Sequence, residues 1–139
     1  MKVQQFYIIV RIVETDGQEI KFFLLFSIIK KMSFKLEKIT LENNYFRRVI
    51  YTTKNQQLVV MSVNDKIPLE VHDKNDQFIK IVQGRCQVQL GNEFYELEDG
   101  DSITIPSCTK HEVKNIGTEP IKLYTIYSPP HHPDGLVQK

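Results

Sequence analysis

The chain has 139 residues, 41% hydrophobic and 25% charged, which suits one globular domain with a single core and leaves little room for a second. Its formal net charge is +1 with Lys and Arg spread along the sequence, so no electrostatic footprint for nucleic acid or an anionic membrane is present, and neither partner is expected. Cys86 and Cys108 are the only cysteines and make no disulfide framework; with no secretory leader legible, the expectation is a reducing, cytoplasmic location with both as thiols.

Residues 1–31 read as an N-terminal extension: two β-rich runs, "FYIIVRIV" and "IKFFLLFSII", flank "ETDGQE", whose Asp-Gly pair signals a tight hairpin. The apolar run from Phe22 to Ile29 falls far short of the roughly 20 residues needed to span a bilayer. It also lacks signal-peptide flanks, since Lys30 and Lys31 stand where small residues should follow. Such a strand could instead pair across an edge into a symmetric homodimer. Met32 opens "MSFKLEKITL", the expected start of a compact domain over residues 32–139.

From Lys35 onward the sequence reads as short strands: "LVVMSV", "LEV", "QFIKIV", "CQVQL", "EFYELE", "SITIP", "HEVKN" and "IKLYTIY". Turn signals recur every 8 to 12 residues with no long 3.6-residue period, which predicts an all-β sandwich or barrel and excludes parallel βαβ architecture. Ile79, Ile81, Val88, Leu90, Ile103 and Ile105, with Phe78, Phe94, Tyr95 and Tyr124, are the expected core or pocket wall. The tail "SPPHHPDGLVQK" reads as an extended surface segment. His131 and His132 are expected at its surface, or as a lid over a pocket mouth.

The chemistry concentrates in "LEVHDKNDQ". Residues two apart on a strand share a face, so Glu70 and His72 project side by side. The polar turn "DKND" is expected to reverse the chain and set Gln77 at the start of a neighbouring strand, so that a carboxylate, an imidazole and an amide oxygen converge. Downstream, "GDSITIPSCTKHEVKN" places Pro106 six positions after Gly100 and His111 eleven after it, with Asn115 four further on.

Together the two stretches resemble the paired motifs of the cupin superfamily, G-x5-H-x-H-x3,4-E-x6-G and G-x5-P-x-G-x2-H-x3-N. The second fits except that Cys108 stands at a glycine position; in the first, the leading glycine is missing, Glu70 replaces the first His, Gln77 replaces the Glu, and Gly84 closes it. The resemblance covers about residues 45–137 and is closest to small mannose-6-phosphate isomerase-like cupins, which the ending "YSPPHHPDG" also resembles. It implies a double-stranded β-helix, that is, a jelly-roll barrel. It also implies a metal held by Glu70, His72, Gln77 and His111. Two imidazoles, a carboxylate and a neutral oxygen suit a divalent transition ion such as Zn, Mn, Fe, Ni or Co.

Three functions follow as expectations. The first is a metal-dependent sugar-phosphate isomerase, in which the ion polarises a carbonyl while a base moves a proton between adjacent carbons; no residue stands out as that base. The second is a dioxygenase-type enzyme, and the third a non-catalytic small-molecule-binding barrel. Lys80, Arg85 and Lys110 are the candidates to clamp an anionic substrate. Asn115 is expected to fix a turn, Cys108 to be a tolerated small residue and Cys86 to be core or edge.

Overall fold

The structure is a computed structural model describing residues 10–13, 19–22 and 33–139, the first two stretches as backbone. The chain divides into two units, Met1–Phe34 and Lys35–Lys139. In the first, β1 (Val10–Val13) and β2 (Glu19–Phe22) pair antiparallel with Val13 opposite Glu19. The remainder of the apolar run, residues 23–29, lies outside the described residues, and with it the expected dimer strand. Among the described residues, no helix is long and apolar enough to cross a membrane.

The second unit opens with an element that the sequence pattern did not predict, the helix α1 (Leu36–Glu42). At seven residues it is too short to impose a visible 3.6-residue period, and it has no side-chain cap. Tertiary packing supports it: Thr40 and Asn43 are buried, and α1 lies against the sheet that contains residues 57–63, 76–83 and 121–128. The buried Lys122 ammonium donates to the Asn43 carbonyl and to Asn44 Oδ1, which ties the end of the helix to the barrel.

Ten strands follow: β3 (Arg47–Thr52), β4 (Gln57–Val63), β5 (Lys66–Glu70), β6 (Asp76–Gln83), β7 (Cys86–Leu90), β8 (Glu93–Leu97), β9 (Ser102–Ile105), β10 (His111–Asn115), β11 (Ile121–Ser128) and β12 (Val137–Gln138). They form a six-stranded sheet, β12-β3-β4-β11-β6-β9, and a four-stranded sheet, β5-β10-β7-β8. All pairings are antiparallel, and the fold is the double-stranded β-helix.

The core follows the period-2 pattern. Val59, Met61 and Val63 of β4, Ile79 and Ile81 of β6, Ile121, Leu123 and Tyr127 of β11, and Cys86 and Val88 of β7 are sealed from solvent between the sheets. Each aliphatic side chain among them contributes about 1.5–3 kcal/mol relative to exposure. Two predicted core residues are not core: Phe94 is 59% and Tyr95 41% exposed. Both lie on β8, an edge strand bonded only to β7, so that neither face is fully covered. Burial pushes the Cys86 thiol up to about 11, which makes it an inert core group.

Candidate metal centre

β5 ends at Glu70, and the antiparallel register sets Glu70 directly opposite His111, the first residue of β10. His72 lies just past β5, not on a strand as the alternation implied. The chain there is held by its backbone: the His72 carbonyl accepts from Cys108 N–H at 2.7 Å. Cys108 does so at φ +64°, the left-handed conformation that explains glycine at this motif position.

"DKND" does not make a hairpin. It carries the chain from the four-stranded sheet to the six-stranded one, because β6 pairs with β11 and β9 and not with β5. Gln77 therefore approaches from the opposite wall of the barrel. Asn75 pins this crossing through Nδ2, which donates to the Pro129 carbonyl at 2.6 Å.

Glu70, His72 and His111 converge, with ligand atoms within 4.8 Å of one another. Glu70 Oε1 is 3.2 Å from His72 Nε2 and 3.4 Å from His111 Nε2, and the imidazole centroids are 5.0 Å apart. Donors about 2.1 Å from a shared ion stand roughly 3.0 Å apart at right angles and about 3.4 Å apart in a tetrahedron, so the observed spacings need little adjustment to take one. Burial disfavours the charge on Glu70, but the imidazoles of His111 and His72 beside it outweigh that and hold the carboxyl well below its ordinary range.

The hydrogen bonding also fits a cation. His111 Nδ1 lies 2.9 Å from the Thr109 carbonyl, which can only accept, so Nδ1 carries a proton and Nε2 is the nitrogen turned to the site. That Nε2 is buried, makes no hydrogen bond of its own and faces the Glu70 carboxylate. When Nε2 carries no proton it and the carboxylate repel, and a positive ion between them reverses the sign.

Gln77 repeats the pattern from the other wall. It is 1% exposed, and its amide nitrogen donates to Thr125 Oγ1 at 3.1 Å and Tyr127 Oη at 3.2 Å. Both N–H groups are then used, and Oε1 is left buried without a partner. Tyr127, fully buried, joins Gln77 to the cluster: its ring stands edge-on to His72 at 5.5 Å. Burial pushes its phenol well above the ordinary value, so it remains neutral.

The tail is not a loose surface segment. Gln57 of β4, 0% exposed, donates from Nε2 to the His132 carbonyl at 2.8 Å and accepts at Oε1 from the His132 N–H at 2.8 Å and the His131 N–H at 3.2 Å. Further on, Val49 N–H bonds the Leu136 carbonyl at 2.9 Å and β12 pairs with β3. His131 remains exposed, yet its ring centroid lies 4.2 Å from His72 and 5.2 Å from Tyr127. His132 stands edge-on to Tyr127 at 5.1 Å, with Nε2 buried and unpartnered.

The proposed basic clamps fall elsewhere. Lys80 Nζ donates to the Gly100 carbonyl, Arg85 pairs with Glu96 at 3.7 Å on the surface, and Lys110 is exposed. Asn115 fixes the β10–β11 connection, donating to the carbonyls of Val63, Asn64 and Glu119 and accepting from Gly117 N–H. Gln57 and Tyr127 are what sequence reasoning missed at the site, whereas the tail histidines, expected at the surface or as a lid over a pocket mouth, have their rings against His72 and Tyr127. Tyr127 alone was within reach, since it alternates with Leu123 and Thr125 on the inward face of β11.

The sequence profile of the cupin domain family matches residues 57–127. The chain is 39% identical over 112 residues to the protein YrkC of Bacillus subtilis, which spans 75% of this chain and 60% of that one. It is 45% identical over 104 residues to L612 of Acanthamoeba polyphaga mimivirus, across 70% of this chain and 65% of that one. The chain thus spans less than two thirds of the length of both relatives. The crystal structure of BH2720 from Bacillus halodurans matches with a TM-score of 0.77 at 37% identity, covering 79% of this chain and 89% of that one.

Proposed function

The chain belongs to the cupin family, and on that premise we propose that it is a metal-dependent enzyme of small-molecule metabolism whose divalent transition ion is held by Glu70, His72, Gln77 and His111. The observation that carries the reading is the convergence of Glu70, His72 and His111, with His111 Nε2 and Gln77 Oε1 left buried without hydrogen-bond partners. Left without a cation, each unsatisfied buried polar atom costs about 1–3 kcal/mol. When bound, an ion there supplies Lewis acidity toward a substrate oxygen.

The reaction proposed is isomerisation of a small hydroxy-carbonyl compound, the sugar-phosphate isomerase reading being the form that the resemblance suggests. The residues of the chain divide the task. Glu70, His72 and His111 orient the electrophilic centre, the neutral Tyr127 and Gln77 close its inner side, and the Gln57-anchored segment holds His131 at the mouth. To a ring nitrogen of His131, whose exposed ring lies 4.2 Å from His72, we assign the transfer of a proton from one carbon to the next while the hydroxyl proton passes between the two oxygens, the role for which the sequence offered no candidate.

Metal content tests the first part directly. Protein purified without chelator is expected to retain about one equivalent of a first-row ion by elemental analysis. His72→Ala and His111→Ala should lower retention at least tenfold, since each removes a donor. Equal, negligible content in all three proteins overturns the metal reading. Conversion of mannose 6-phosphate to fructose 6-phosphate in a coupled assay tests the isomerase form, with absence of turnover by metal-loaded protein counting against it.

A further inference from the structure

None of the residues of β8 is buried, although the strand closes one edge of the four-stranded sheet. The hairpin with β7 fixes which of its backbone groups are free. Leu90 and Glu93 pair across the turn at Gly91 and Asn92, and two residues that flank so tight a turn exchange both backbone hydrogen bonds. Alternation makes Val88 with Tyr95 and Cys86 with Leu97 the other bonded pairs. The far side of β7 keeps the same parity, since Gly91 N–H donates to the Lys110 carbonyl of the strand entering β10 at 2.7 Å. Gln89 with Phe94 and Gln87 with Glu96 are then non-bonded pairs, and the N–H and C=O groups of Phe94 and Glu96 point away from β7. Among the described residues nothing bonds them.

The two edges of this sheet are unlike. β5 carries Lys66 and Pro68 and shifts register against β10, devices that keep a further strand from adding to an edge. β8 has no Lys, no Pro and an unbroken register with β7, and it exposes 59% of Phe94 and 41% of Tyr95 on its opposite faces. Its carboxylates have partners of their own. Glu93 accepts from Tyr95 Oη, and Glu96 pairs with Arg85 at 3.7 Å.

We propose that β8 is a homodimer interface, in which the β8 strands of two copies of this chain pair antiparallel about a two-fold axis and join their four-stranded sheets into one. Charge and length choose the register. An axis at Glu96 sets two carboxylates directly opposite, where like charges repel. An axis at Phe94 runs Glu96 into the turn residue Asn92 and leaves Leu97 without a partner. An axis at Tyr95 pairs the whole strand: Phe94 and Glu96 exchange their free bonds with Glu96 and Phe94 of the second copy, Glu93 lies opposite Leu97, and no carboxylate faces another. The two Tyr95 residues then form a non-bonded pair with Cα atoms about 4.5 Å apart, the closer kind, so their rings cover each other. On the other face the two Phe94 side chains meet along a diagonal of about 7–8 Å, within aromatic reach. A second copy is thus the occupant that the strand itself specifies. An edge of 5 residues is small for an interface, so the association belongs to the weak class, with a Kd on the order of 10 µM.

Sedimentation equilibrium of the full chain between roughly 1 and 200 µM brackets that value and should show monomer and dimer in exchange. Tyr95→Lys sets two ammonium groups opposite at the axis, and Glu96→Pro removes an outward N–H that β7 does not use; each should weaken association about tenfold or more. Thermal melts establish folding, and should Glu96→Pro fail to fold, Tyr95→Lys carries the test. In a Cys108→Ser background, Tyr95→Cys should form a disulfide-linked dimer under mild oxidation, whereas Phe94→Cys and Glu96→Cys should not. A monomer at every concentration overturns the proposal. So does a dimer indifferent to Tyr95→Lys and Glu96→Pro, whose contact must lie elsewhere on the chain. Cross-linking through Phe94→Cys or Glu96→Cys in preference to Tyr95→Cys overturns the register, and the proposal with it.

Discussion

Cys108 is the residue at which the chain departs most visibly from both the family pattern and local physics. Its φ of +64° costs an L-residue roughly 1–2 kcal/mol, while a glycine there would forfeit about 0.5–1 kcal/mol of unfolded-chain entropy. Cys108→Gly should therefore be more stable by about 0.5 kcal/mol in urea denaturation, with metal content unchanged, because the bond to the His72 carbonyl uses the backbone N–H. A destabilised variant would mean that the thiol contact with the Asp73 carbonyl at 3.6 Å is worth more than the strain. Glu70, His72 and His111 were legible as donors because residue type and spacing are local properties. The face taken by Arg47 was not legible, since nothing in "YFRRVI" distinguishes an inward arginine from an outward one until β3 is registered against β4.

Among the elements, the tail departs furthest from its expected character. Pro, His and Gly without apolar periodicity signal an exposed loop, yet residues 129–138 are bound along the barrel by Asn75, Gln57, Val49 and the β12–β3 pairing. Gln57 is the principal anchor, with its amide fully used by Thr52 Oγ1, the His132 carbonyl and two tail N–H groups. Gln57→Ala should cost about 2–3 kcal/mol, since it strands several polar groups. The released tail should also become sensitive to limited proteolysis while the barrel stays intact. A variant with wild-type stability and a protected tail would show that the β12 pairing alone suffices. Helix α1 teaches the opposite case, an element whose seven residues bear no strong signal and whose stability comes from the sheet beneath.

For the molecule as a whole, three groups respond to acid: His132, its neighbour His131, whose proton affinity burial and the His72 charge also lower, and Glu70. Burial, the Arg47 charge and His131 press His132 down to about 4 from 6.5. Between those values the unfolded chain binds a proton that the folded chain refuses, so stability falls as pH drops through this window. Glu70 is held below its ordinary 4.5 by the His111 and His72 imidazoles, which outweigh its burial, so its contribution is present above that value and is lost at more acid pH still. Melting temperatures of metal-free protein should decline steadily from pH 7 toward pH 4, and His132→Asn should flatten the upper part of the decline while leaving the lower part. A flat wild-type profile would remove His132 from this account.

The sequence by itself determined the all-β barrel and the types of the candidate ligands, because strand alternation, turn chemistry and motif spacing act over a few residues at a time. Only the tertiary structure decided that Gln77 stands on the other sheet from Glu70 and His111, that the tail histidines reach His72 and Tyr127, and that Arg47 shares a face of β3 with Val49. Those arrangements join residues as far apart as Gln57 and His132, 75 positions along the chain, and contacts over such separations leave no trace in any local pattern. The stretch "LEVHDKNDQ" thus specified three of the four candidate donors, while closure of the barrel specified their surroundings.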